Sequence, residues 1–141
     1  MLICIDSCVF IRAFDAPASD AAELLGLLNP NLSVVIPRIV VDEVVRNLHT
    51  YETVRTFYRL FSGESGLQII DLQIPDQLLA DYVARGLRAK GDAYIGAFAE
   101  WMRVDCLISD NRHFLRELRT DAYRLLSPGD FLRELNQEPH E

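Results

Sequence analysis

Apolar residues fall along the chain in two alternating patterns. "LICI" (2–5), "LSVVI" (32–36), "DCLIS" (105–109) and "YRLLS" (123–127) are short runs with few interruptions, and "LQIIDL" (67–72) is a weaker one. Runs of this length, bounded by polar or turn-forming residues, predict strands buried on both faces, with 67–72 as an edge or short strand. Between them the apolar positions recur at helical spacing. "VFIRAF" (9–14) starts a helical turn, and "SDAAELLGLL" (19–28) predicts a helix with Ser19 as N-cap and acids in its first turn. Asn29, Pro30 and Asn31 end it. Pro37 suits the first turn of a helix continuing through "RIVVDEVVRNLHTY" (38–51), and a further helix, "ETVRTFYRLFSG" (52–63), ends near Gly63. Pro75 opens "DQLLADYVARGL" (76–87) and Pro128 opens "GDFLREL" (129–135). "KGDAYIGAFAEWM" (90–102), rich in small residues, and "NRHFLREL" (111–118) complete the helices.

Apolar strands separated by amphipathic helices predict an α/β fold: a three-layer sandwich with a mainly parallel central sheet flanked by helices. With no repeat or linker, residues 1–141 are expected to form one domain. In such sheets ligands bind at the carboxyl ends of the strands. Asp6 lies just past "LICI" and Asp110 just past "CLIS".

Composition narrows the picture. Half the residues are hydrophobic, which is globular and not disordered. No apolar stretch approaches the ~20 residues of a membrane span, and the N-terminus lacks the basic region and cleavage site of a signal peptide. A cytoplasmic protein with no membrane association is expected. Cys4, Cys8 and Cys106 lack the second Cys or His pair of a zinc site and read as buried small apolar residues. A net charge of −7 argues against nucleic-acid affinity through bulk charge. The basic residues are thirteen arginines and one lysine, so planar bidentate recognition of phosphate or carboxylate is available locally.

The candidate chemistry is acidic. Asp6 stands alone in "MLICIDSCVFI", where it either caps the following helix or sits in a cleft that attracts a cation. Glu43, beside Asp42, lies among apolar neighbours on the helix after "SVVI"; Asp92 opens the helix after Gly91; Asp110 follows the strand "CLIS". Each alone suits a cap or a solvated face. If they meet, two like charges at 4 Å repel by roughly 4 kcal/mol at an effective dielectric near 20. A cluster would then need a cation, and hard carboxylate oxygens select Mg²⁺ or Mn²⁺.

The ordered set "CIDSCVFI", "IPRIVVDEVVRNL" and "KGDAYIGAFAEWMRVDCLISDNRHF" resembles the PIN-domain family of metal-dependent ribonucleases, over nearly the whole chain. Many members are toxins of toxin–antitoxin pairs. The resemblance implies a catalytic and metal-binding set of Asp6, Glu43, Asp92 and Asp110 around Mg²⁺ or Mn²⁺. It also implies an RNA substrate, an antitoxin partner and homodimerisation. Two departures stand out. Cys8 occupies a place where the family often has Asn, and the usual last acid position aligns with Asn111, one place after Asp110. Either Asp110 supplies the carboxylate or Asn111 ligates through its amide oxygen or a water. Ser7 and Ser109 either hydrogen-bond ligating carboxylates or cap helices. Arg46, Lys90 and Arg112 flank the acids and are candidates for RNA phosphates, or for ordinary solvation. His113 reads as a structural or phosphate-side group before a base, His49 and His140 as loop or surface residues, and Trp101 and Met102 as core or dimer contacts. Two other functions compete: a non-catalytic PIN-like binding module with a weakened site, and a haloacid-dehalogenase-like phosphatase. The phosphatase chemistry wants a second Asp at the place of Cys8.

Overall fold

The computed structural model describes residues 1–63, 65–88 and 91–137. Its strands are β1 (Leu2–Ile5), β2 (Ser33–Pro37), β3 (Leu67–Ile70), β4 (Cys106–Ile108) and β5 (Arg124–Leu126). They form one sheet in the order β3-β2-β1-β4-β5, and every neighbouring pair is parallel. Ile3 lies opposite Val34 on one side and Cys106 on the other, and Ile5 pairs with Ile108. Ile3, Cys4 and Ile5 are fully buried, as are Val34, Ile36, Leu107 and Ile108. Strands covered on both faces have no position for a solvated side chain, which is why they read as unbroken apolar runs. β3 and β5 are the edge strands, and their burial is correspondingly partial.

The helices are α1 (Ser7–Asp15), α2 (Asp20–Gly26), α3 (Arg38–Asn47), α4 (Tyr51–Arg59), α5 (Asp76–Ala84), α6 (Asp92–Trp101) and α7 (Pro128–Gln137). From β1 the chain steps to β2 and β3 on one side, then returns to β4 and β5 on the other. Right-handed crossovers therefore put α1–α4 on one face and α5 and α6 on the other. Accordingly α1 packs on α2 and α3, α2 meets α7, and α5 pairs with α6. The reversal at β1 leaves a crevice between the carboxyl ends of β1 and β4, the topological switch point of such sheets. Among the described residues no helix is long and apolar enough to cross a membrane.

Several helices differ from the sequence reading, among them α4, which ends at Arg59 and not near Gly63, and α5, which ends at Ala84 and not at Leu87. The expected helix over 38–51 ends at Asn47, because Leu48 turns to an extended conformation (φ −89°, ψ 132°). Thr50 then starts α4 by accepting a hydrogen bond from the Thr53 N–H at 3.1 Å. The segment 111–118 forms a single π-helical turn, His113–Glu117, closed by the Leu118 N–H donating to the His113 carbonyl at 2.9 Å. Such turns recur beside functional sites.

The small residues of α6 serve helix–helix packing. A Cβ on Gly96 would stand 2.7 Å from Cδ1 of Tyr82 on α5. The Gly96 carbonyl also accepts the Tyr123 hydroxyl at 3.0 Å. This contact fixes α6, and so the position of its first residue, Asp92.

Candidate functional site

Asp6 follows the last residue of β1, and its backbone N–H still donates to the Ile108 carbonyl at 2.9 Å. Its extended conformation (φ −71°, ψ 154°) makes it the N-cap of α1. The cap reading of the sequence is thus observed, and the cleft reading holds as well: the residue is 4% exposed. One carboxylate oxygen, Oδ1, accepts from the Ser7 N–H at 2.8 Å and lies 3.4 Å from the Ser7 hydroxyl. The other, Oδ2, accepts from the Ser109 hydroxyl at 2.7 Å and from the Cys8 thiol at 3.5 Å. Burial pushes the Asp6 carboxyl above the usual carboxylate range. The Ser109, Ser7 and Cys8 donors oppose that shift, and the negative charge of Asp92 adds to it.

Asp92 is the first residue of α6 and is half-buried. The helix dipole favours its charge there. Its Oδ2 accepts from the Asn111 side-chain amide at 3.3 Å. The Asn111 Oδ1 is occupied by the His113 N–H at 2.9 Å, which opens the π-helical turn. An amide held in that way presents its nitrogen, not its oxygen, to Asp92. Ser109 links the two halves: fully buried, it donates to Asp6 and accepts from the Asn111 N–H at 2.9 Å. Asp6, Ser109, Asn111 and Asp92 therefore form one connected chain of polar groups across the crevice.

The other sequence candidates sit differently. Asp110 turns away from the crevice, and its carboxylate takes the Arg12 guanidinium in a two-pronged pair, 2.8 Å from Nε and 3.0 Å from Nη2. Glu43 is half-buried on α3. Among the described residues no three His, Cys, Asp or Glu side chains are gathered closely enough to hold a metal, so Glu43 does not join Asp6 and Asp92 in such a group. Arg46 and Arg112 are exposed. Lys90 and His140 lie outside the described residues. His113 contacts Glu117 at 2.6 Å, and this pairing lowers the Glu117 carboxyl. Trp101 is exposed, so it does not belong to the core. Cys8 is half-buried, and burial, then the Asp6 charge, pushes its thiol up to about 12. It is an inert thiol at neutral pH, in keeping with a packing role.

The pair Asp6 and Asp92 suits a hard divalent ion. It offers oxygen donors alone, and a buried carboxylate whose ionisation is opposed by burial and by a second acid gains from a neutralising cation. Mg²⁺ characteristically uses one or two protein carboxylates and keeps several waters.

Sequence reasoning passed over Arg12. The available signal was its spacing, since Cys8 and Arg12 are four residues apart and so share one face of α1.

Residues 3–118 match the PIN domain family. A search of curated proteins gives no significant match. Among solved structures the chain is similar to VapBC2 from Rickettsia felis bound to a DNA fragment from the promoter, at 21% identity and TM-score 0.62, covering 90% of this chain and 98% of that one. It is similar to VapBC-1 from nontypeable Haemophilus influenzae at 17% identity and TM-score 0.62, covering 92% and 99%. A toxin–antitoxin complex from Klebsiella pneumoniae aligns at 21% identity and TM-score 0.59, covering 86% and 98%. At these identities the likeness speaks to the fold. The family match spans every strand but the last and includes Asp6, Glu43, Asp92, Asp110 and Asn111. By that match and by its all-parallel sheet, this chain belongs to the PIN domain family.

Proposed function

We propose that the chain is a Mg²⁺- or Mn²⁺-dependent endoribonuclease and the toxin member of a toxin–antitoxin pair. The observation that carries this reading is the buried Asp6 carboxylate joined through Ser109 and Asn111 to Asp92 at the switch point of a PIN fold. Asp6 and Asp92 are the residues to hold the ion, with Glu43 the further acid on the neighbouring helix α3. Bound there, the ion supplies charge for a phosphodiester and a water of lowered pKa. The Ser109 and Ser7 donors fix the Asp6 carboxylate so that both its oxygens keep one orientation. Arg46 and Arg112 are exposed cations available to RNA phosphates, and Lys90 is a third candidate. An antitoxin partner is supported by the similar structures, two of which are VapBC assemblies and one a toxin–antitoxin complex. Homodimerisation and a cytoplasmic location belong to the same reading.

Purified chain incubated with RNA is expected to cleave it with Mn²⁺ present and to stop when chelator is added. Asp92→Asn is expected to abolish the cleavage. Equal activity of the variant and the original chain would end the metal-nuclease reading.

One observation favours a second reading. Asn111 stands where the family's last acid usually aligns, and its amide nitrogen faces Asp92. This suits a PIN-like binding module with a weakened metal site. Such a module would show no specific divalent binding by calorimetry. The phosphatase alternative has no support left, given membership of the PIN family and Cys8 in place of its second Asp.

A further inference from the structure

The three residues after β4 point in alternating directions. Ser109 turns inward to Asp6, Asp110 outward to Arg12, and Asn111 inward again to Asp92. The outward contact is the most elaborate. Arg12 grips both oxygens of Asp110, and its Nη2 also pairs with Asp20, the first residue of α2. The Asp20 carboxylate in turn rests on the first turn of α7. A Cβ on Gly129 would lie 2.9 Å from its Oδ2, so the carboxylate sits close against the Gly129 backbone. The Asp110 N–H donates to the Cys8 sulfur at 3.4 Å, which docks the same loop on α1 a second time. Arg12 and Asp110 are thus the tie between the helical layer and the loop that carries Ser109 and Asn111.

We infer that Asp110 is a positioning residue and not a metal ligand: the Arg12–Asp110 pair sets the loop at 109–111 so that Ser109 orients Asp6 and Asn111 orients Asp92. The inference rests on the proposal that Asp6 and Asp92 hold a divalent ion. It resolves the choice between Asp110 and Asn111 in a way the residue order does not. A planar guanidinium matched to a carboxylate by two parallel bonds fixes direction as well as distance. The pair is about one-third exposed, so its direct stability contribution is small, and its consequence lies in the geometry it imposes.

The test is Mn²⁺ affinity of the whole chain by calorimetry, with thermal melting in parallel to establish that each variant is folded. Arg12→Gln and Asp110→Asn act one contact beyond the direct partners of the ligating groups, and each is expected to weaken binding by up to about ten-fold, the low end of the range for those partners. The double variant is expected to be no weaker than either single one, since both remove one tie. Arg12→Lys, which keeps the charge but loses the fork, should fall between. Glu134→Gln, which breaks the remote Arg124–Glu134 pair, should leave affinity unchanged. If Arg12→Gln binds as well as or better than the original chain while Asp110→Asn binds worse, Asp110 is itself a ligand that Arg12 restrains, and the inference falls. It falls equally if neither variant changes affinity. An original chain that binds no Mn²⁺ would instead overturn the metal reading beneath it, a result separable from both.

Discussion

A single carboxylate, Asp6, joins the strand, the helix and the crevice. Because burial and Asp92 hold its folded-state pKa above the ordinary value of 3.8, its ionisation opposes folding. The sign follows directly. A raised carboxyl contributes stability below pH 3.8 that is lost as pH rises through the folded-state value. In chelator, Asp6→Asn is therefore expected to melt at a higher temperature than the original chain at pH 7, with the gain gone near pH 3. Adding Mn²⁺ should reverse the order, raising the melting temperature of the original chain alone. Equal melting at pH 7 in chelator would show that the Ser7, Ser109 and Cys8 donors fully offset the burial. Asp6 was legible in the sequence because an acid in an apolar run is conspicuous. The direction of Asp110 was not, since its partner Arg12 lies 98 residues away and no local pattern reports such a contact.

Among the elements, strands were read best. Their apolar runs record burial on both faces, and each expected strand lies within a residue or two of the observed one. Helix ends were read less well. Apolar periodicity continues through Leu48, so it cannot mark the break that Thr50 capping imposes two residues later. The turn after β4 was expected as a helix. Asn111 starts it with side-chain and carbonyl hydrogen bonds, but it closes with the wider π-helical span. The packing of α6 gives a test at this scale. Gly96→Ala would force a methyl to 2.7 Å from the Tyr82 ring, which must shift. Overpacking of this kind costs typically 1–3 kcal/mol, roughly, and denaturant unfolding should register it. A stability unchanged within a few tenths of a kcal/mol would mean that α5 yields freely. Asp92 starts the same helix, so Mn²⁺ affinity should fall along with stability.

For the whole molecule, charge and function pull in opposite directions. A chain of net charge −7, with acids at its crevice, repels a polyanion. Under the proposed reading, RNA binding must therefore depend on the ion and not only on cleavage. A non-cleavable RNA analogue is expected to bind at least about ten-fold more tightly in Mn²⁺ than in chelator, as judged by fluorescence anisotropy. Equal affinity in both would place the RNA on the arginines alone. The fold class and the placing of Asp6 beside the end of β4 were foreseeable, because sheet topology puts strand ends together whatever the loops do. Which acids then meet depends on loop direction, as Glu43 and Asp110 illustrate.

The central strand has a consequence for how the molecule comes into being. Ser109 reaches Asp6 across 103 residues, and β1 gains its second neighbour only when β4 arrives. During synthesis β1 thus emerges well before β4, and the crevice exists only once β4 has joined it. Pairing between such distant segments is slow, because loop closure must precede the contacts that reward it. A nascent or truncated chain lacking β4 has no assembled crevice, so a divalent ion placed as proposed would find its site only after β4 has been made.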